Sequence, residues 1–267
     1  AYGAGCNGIV YHQLLSELPS LDAQEWQLLP ILNQSIGELG VYDRDYLEVQ
    51  NQQQELSGGM NAFVSVRADL ERPELTKAVH VLSSRALHRN ADAMMQLLED
   101  CRVGMRFDEH SRLKELIEQL TARKAMGVIN QAHSYAMTAA SACFAPVPAL
   151  NHQITGLGCL EWYKQLGQRV QQGGLEDVAA QLSALHQRIK AAPRSALVIS
   201  ESERLEALAT MVPGRLDLSS PKDRLMSPFP LPPLARVAYL TSTQVNFCAA
   251  AYRCPTEQDE LSAATQV

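Results

Sequence analysis

The sequence predicts an α+β fold, an antiparallel or mixed sheet covered by helices, and three observations predict it. From Met60 to Leu70 the apolar residues Met60, Ala62, Val64, Val66, Ala68 and Leu70 alternate with Asn61, Ser65, Arg67 and Asp69, a period of two broken only by Phe63. A second strand-like run, Ala78 to Leu87, follows across Glu71-Arg72-Pro73-Glu74, which reads as the bend of a hairpin. Elsewhere, long stretches with apolar residues three and four apart separate the strands without regular βαβ alternation, which favours helices on one face of the sheet.

The elements follow in order. A first strand spans Gly8 to about Leu18, its apolar content being Ile9, Val10, Tyr11, Leu14 and Leu15. Asp22 can cap a short helix, and Pro30 either kinks that helix or opens the next. Trp26, Leu29, Leu32, Ile36 and Leu39 recur at helical spacing, and Gly40 suits the position just past the helix end. A polar helix starts near Asp43, with Gln50, Gln52, Gln53, Gln54 and Glu55 facing solvent or a partner. Ser57-Gly58-Gly59 then turns the chain into the alternating strand.

The middle of the chain is helical. Asn90 caps a helix with Ala91, Met94, Met95, Leu98 and Cys101 inward. Asp108 caps another, with Leu113, Leu116, Ile117 and Leu120 inward. A third carries the stripe Ile129, Ala132, Ala136, Ala139 and Cys143, small enough for close approach of a neighbour. Leu175, Val178, Leu182, Leu185 and Ile189 form the most regular amphipathic pattern, which Pro193 stops. A buried strand, Ala196 to Ile199, follows, and Ser200 with Glu203 forms a capping box for a last helix to about Met211. Six of the thirteen prolines fall between Pro213 and Pro233, which reads as an extended linker. Beyond it lie two strand-like runs, Arg236–Leu240 and Val245–Tyr252. The predicted organisation is one α+β domain over 1–212, a Pro-rich linker over 213–234, and over 235–267 either the first strands of a following domain or an arm that pairs with the first sheet.

Composition narrows the function classes. A chain of 267 residues with 46% apolar content can bury roughly three quarters of its unfolded surface. A net charge of -6 without a compact basic patch argues against a nucleic-acid partner. No apolar run reaches the roughly 18 residues that span a bilayer, so no membrane partner is expected. No signal-peptide pattern opens the chain, and the absence of an initial Met leaves removal of an upstream segment as an expectation. The six cysteines form no C-x-x-C pair, and Cys101 and Cys143 lie on apolar helix faces; reduced, buried thiols in a reducing, intracellular compartment are expected.

The sharpest local candidate for chemistry is Arg106-Phe107-Asp108-Glu109-His110. In the H-x-x-E-H motif two histidines one turn apart bind zinc and the intervening glutamate activates water. Glu109 and His110 match, but Arg106 stands where the first histidine belongs, and a guanidinium is not a zinc ligand. The competing reading is a helix start, with Asp108 as cap and Glu109 against the dipole. His12, His80, His88, His133, His152 and His186 are dispersed without metal-ligand spacing and read as surface or hydrogen-bonded core residues. Ser134 within Gln131–Ala136 lacks a base partner for nucleophilic work. Ser57-Gly58-Gly59 lacks the spacing and lysine of a phosphate loop. No catalytic, cofactor-binding or metal-binding residue is assigned.

The run Gly37–Leu70 resembles the inverzincin (pitrilysin-type, LuxS-type fold) metallopeptidases, and within them the presequence protease branch. The resemblance extends through Cys6-Asn7-Gly8-Ile9-Val10-Tyr11, Gly40, Gly58-Gly59, Phe107-Asp108 with Arg112-Leu113-Lys114, the Gln131–Ala136 helix, Gly156-Leu157 and Gln244-Val245-Asn246-Phe247. It implies four similar α+β domains in two halves around a chamber, with zinc held in the first domain. This chain resembles the third domain and the start of the fourth, in the half without metal. In the position of the zinc-bearing helix, Asp43 to Glu55 offers glutamines and carboxylates and no histidine. The implied function is a non-catalytic segment of a zinc oligopeptidase that degrades unstructured peptides, inactive alone, with the N-terminal catalytic half and peptide substrates as partners. The implied compartment is cytoplasmic in bacteria, and mitochondrial or plastid in eukaryotes. Two other readings stand beside it: a stand-alone scaffold of the same fold, and an independent enzyme using Glu109 and His110.

Overall fold

The computed structural model describes residues 2–69, 71–208, 229–234, 236–240 and 245–252. Five strands form one sheet: β1 (Tyr2–Gly3), β2 (Ile9–Glu17), β3 (Met60–Ala68), β4 (Thr76–Leu87) and β5 (Arg194–Ser200), in the order β1-β5-β2-β4-β3. β1 pairs parallel with β5, and every other pair is antiparallel, so the sheet is mixed as predicted. Eight helices complete the described fold: α1 (Ala23–Ser35), α2 (Tyr46–Leu56), α3 (Ala91–Gly104), α4 (His110–Asn130), α5 (Ala132–Ser141), α6 (Pro146–Ile154), α7 (Leu160–Gln171) and α8 (Leu175–Lys190).

Alternation decides which face is buried. Val10, His12, Leu14 and Ser16 of β2 and Ala78, His80, Leu82, Ser84 and Ala86 of β4 are all buried, and all point to one side. That side packs on α1, α3, α6 and α8. The predicted inward faces of α3, α4 and α8 are found there: Met94, Met95, Leu98 and Cys101; Leu113, Leu116, Ile117 and Leu120; Val178, Leu182, Leu185 and Ile189.

Several expectations are corrected. The first helix ends at Ser35, not Gly40; Gly37 makes the turn at φ +78. Gly40 is required for a different reason. A Cβ there would lie 2.8 Å from the Arg44 carbonyl oxygen and 2.8 Å from Arg106 Nη2. Pro30 lies inside α1, where Leu28, Leu29, Ile31 and Leu32 are buried and packing outweighs the lost backbone bond. The polar helix starts at Tyr46, capped by Asp45 in a reciprocal box with Glu48. Asn90 stands at the start of α3 without a capping bond, because its amide donates to the Glu55 carbonyl oxygen. The predicted third helix is broken at Gln131 into α4 and α5. α5 buries no residue fully, and Ile129 is exposed, so the small-residue stripe is not core. Ser200 closes β5 rather than capping a helix; a 3-10 turn, Ser202–Arg204, follows without a side-chain cap. The expected end of that helix near Met211 and most of the Pro-rich stretch lie outside the described residues. The runs at 236–240 and 245–252 belong to no strand.

Asp22 and Asp45 each close a capping box. Replacing Asp45 with Ala removes the acceptor for the Glu48 N–H, 2.9 Å away. The expected cost is about 1 kcal/mol, read as a lower urea midpoint at unchanged slope.

Candidate functional surface and buried polar cluster

The segment with the sharpest motif is structural. Asp108 is not the cap of α4; Glu109 occupies that position and makes no capping bond there. Its carboxylate instead accepts from the backbone N–H of Gly40 at 2.6 Å and of Tyr46 at 3.1 Å. Glu109 therefore ties the turn after α1 to the first residue of α2, where a carboxylate also suits the positive end of the helix dipole. Arg106 lies 3.7 Å from Glu109 and 3.7 Å from Asp108. Both carboxylate oxygens of Glu109 accept a backbone N–H. Among the described residues no group of three or more His, Cys, Asp or Glu is placed to hold a metal ion.

Three histidines that read as dispersed are buried under the sheet, and two of them, His80 and His186, line one cavity. His12 comes from β2, His80 from β4 and His186 from α8, and all three are buried. His80 Nε2 donates to Asn33 Oδ1 at 2.9 Å and His186 Nε2 to the Arg102 carbonyl oxygen at 2.8 Å. A cavity of about 10 Å³, lined by residues that include Ser16, His80, Arg102, His186 and Lys190, lies between them; that is room for about one water molecule. Burial pushes each of the three imidazoles down to about 4. Spacing along the chain carries no signal of this cluster, because the three sit on elements far apart. Two of the three positions, His12 and His80, do fall on the buried parity of their strands.

Cys101 is buried, and desolvation pushes its thiol up to about 12. The five described cysteines carry no disulfide, while Cys143 is only partly buried and Cys254 lies outside the described residues.

The opposite face of the sheet is less covered, most of its residues being partly exposed, although Val81 on it is buried. Its residues fall into cross-strand rows set by the register: Tyr2, Ile199, Tyr11 and Arg85; Leu197, Gln13, Ser83 and Asn61; Ser195, Leu15, Val81 and Phe63. Tyr2 (68%), Tyr11 (38%), Phe63 (38%) and Leu87 (46%) keep much of their surface exposed. Phe63, the one break in the alternation, thus places an aromatic ring on the face that would otherwise be polar on β3. At the edge, β3 pairs with β4 alone among the described residues.

The edge groups can be assigned. The Asp69 N–H donates to the Leu75 carbonyl oxygen, so the 69–75 pair is hydrogen-bonded, and bonded pairs recur at every second residue. The bond from the Leu18 N–H to the Ala78 carbonyl oxygen agrees, since it turns the even residues of β4 toward β2. Phe63, Ser65 and Arg67 therefore bond to β4, while Ala62, Val64 and Val66 point their N–H and C=O groups out of the sheet edge.

Comparison with known proteins identifies relatives. Residues 1–166 match the family model "Peptidase M-16C associated". The mitochondrial presequence protease of Danio rerio is 27% identical over 162 residues, 61% of this chain and 16% of that protein. The mitochondrial presequence protease of Candida albicans is 23% identical over 189 residues, 69% of this chain and 18% of that protein. The chain therefore spans less than a fifth of the length of these relatives. Among solved structures, the first half of the periplasmic protease PqqL from Escherichia coli superposes with a TM-score of 0.54 at 16% identity, over 83% of this chain and 44% of that one. A conserved protein from Enterococcus faecalis V583 gives 0.52 at 12% identity, over 78% of this chain and 47% of that one. These likenesses show the fold.

Two substitutions separate a structural role for Glu109-His110 from a chemical one. Glu109→Ala leaves two backbone N–H groups without their acceptor and is expected to cost about 2 kcal/mol in a denaturant titration. His110→Ala removes no side-chain hydrogen bond found among the described residues and is expected to change stability by less than about 0.5 kcal/mol.

Proposed function

The chain belongs to the M-16C-associated peptidase family, and from that premise we propose that it is a non-catalytic segment of a zinc metallo-oligopeptidase, walling the chamber in which unstructured peptides are held. The observation that carries this reading is the less covered face of the sheet, with Tyr2, Tyr11 and Phe63 exposed on it beside the free edge of β3. An extended peptide can add to that edge as a further strand, using main-chain bonds for affinity and the apolar rows for its side chains. Strand addition is insensitive to sequence in its backbone part, as a degrader of varied peptides requires.

In this reading the domain covers 1–212, residues 213–234 link it onward, and 235–267 begin the next domain. Zinc belongs to the N-terminal domain of the parent protein, which with the rest of the catalytic half is the partner of this segment. The location follows the parent: mitochondrial or plastid in a eukaryote, cytoplasmic in a bacterium. No helix among the described residues is long and apolar enough to cross a membrane.

Two measurements test the proposal. Hydrogen exchange with and without a saturating unstructured peptide is expected to show new protection at Ala62, Val64 and Val66, with little change at Phe63 and Ser65. Protection elsewhere with none at β3 would remove the edge from the reading. The purified chain is expected to hold no stoichiometric zinc by elemental analysis and to cleave no peptide. Zinc at one equivalent, or turnover abolished by His110→Ala, would favour an independent enzyme instead.

A further inference from the structure

We propose that the histidine cluster beneath the sheet is an acid-sensitive latch: proton uptake by His80 and His186 drives α8 and the end of α3 off the sheet. The geometry carries the proposal. His80 on β4 and His186 on α8 line the same cavity of about 10 Å³, which is too small to hydrate two charged rings. Each ring already uses Nε2 as a donor, to Asn33 Oδ1 and to the Arg102 carbonyl oxygen, so an added proton must go to Nδ1. Nδ1 of His186 is buried and has no hydrogen-bond partner to receive that proton.

The surrounding charges make the protonated state worse. α3 contributes Arg102 and Glu99, bonded to each other. α8 contributes Lys190, whose ammonium donates to the Val103 carbonyl oxygen. β2 contributes the buried Ser16, opposite His80, while His12 lies four residues further along that strand, opposite Ser84; β5 contributes the buried Arg194, and α1 contributes the neutral Asn33. Glu99 is the one carboxylate described in this group, and it is held by Arg102. Two new imidazolium charges would therefore stand beside Arg102 and Lys190 in a space where the described residues offer no free counter-ion.

The direction of the pH effect follows. Both imidazoles are held near 4 in the fold against 6.5 outside it, mainly by burial. Between these values the opened form binds more protons, so the closed form loses stability as pH falls from about 6.5 and the loss levels off below about 4. The seam most affected joins α8 and the end of α3 to β2 and β4. The β2–β4 ladder is held by its own backbone bonds and need not open with it.

The test is hydrogen exchange on the 267-residue chain from about pH 7 to about pH 4.5, a window that covers most of the gap between the two pKa values, corrected for the intrinsic pH dependence of exchange. The expected result is protection lost at least tenfold in α8 while β2 and β4 stay protected, with the histidine ring signals of the closed form still reporting neutral rings. The variant His80→Gln/His186→Gln is expected to move the α8 transition down by at least about half a pH unit. If that variant does not fold, the wild-type profile decides alone. Flat protection of α8 down to the acid end of that range, or simultaneous loss across helices and sheet, would overturn the latch. An unmoved α8 transition in a folded double variant would also overturn it.

Discussion

The antiparallel register of β2 and β4, from Ile9 opposite Leu87 to Glu17 opposite Val79, is the constraint on which the other features rest. With a side-chain period of two, a slip of one residue would send Val10, Leu14, Leu82 and Ala86 to the open side and Tyr11, Leu15, Val81 and Arg85 into the core. The same register places His12 and His80 among buried side chains and lines up the Tyr11 and Leu15–Val81 rows on the open face. The composition of both sheet faces is thus a consequence of one pairing. β5 reinforces it from the other side, where Leu14 faces Ala196 and His12 faces Val198.

A second tie holds the helical layer to itself. Glu109 reaches across from the start of α4 to the backbone of Gly40 and Tyr46, and Arg112 on the same helix pairs with Glu38 and stacks over the Tyr46 ring at 5.0 Å. Both act on the segment between α1 and α2. Here each Glu109 oxygen accepts from a backbone N–H group.

The layer on the buried face is uneven. Its centre, α3 and α8 against β2 and β4, buries His80, His186 and Arg102, and histidines are compatible with such burial only while they remain uncharged. The periphery is different: α5 buries no residue fully, and Met126, Ile129 and Met137 stand exposed nearby.

Strand parity, the inward faces of α3, α4 and α8, the hairpin and the absence of a first zinc histidine at Arg106 were legible in the sequence, because each depends on neighbours within a few turns of chain. The short strand β1, the helices α6 and α7, the break at Gln131 and the true end of α1 were not legible. β1 is two residues that gain strand geometry only from β5, nearly two hundred positions away, and α1 stops at Ser35 because Gly37 turns it and not because apolar spacing runs out. The candidate site divides in the same way. Phe63 was visible as an exception to alternation, but its place in a row with Val81 and Leu15 required the register. His80 and His186 have no local signature, since only the packing of α8 on the sheet brings the two to one cavity. What the sequence determined by itself was the type of domain and the pattern of each long element, which are set by local periodicity. Tertiary structure alone decided which polar residues meet in the interior and which sheet face stays open, because both depend on contacts between segments far apart in the chain.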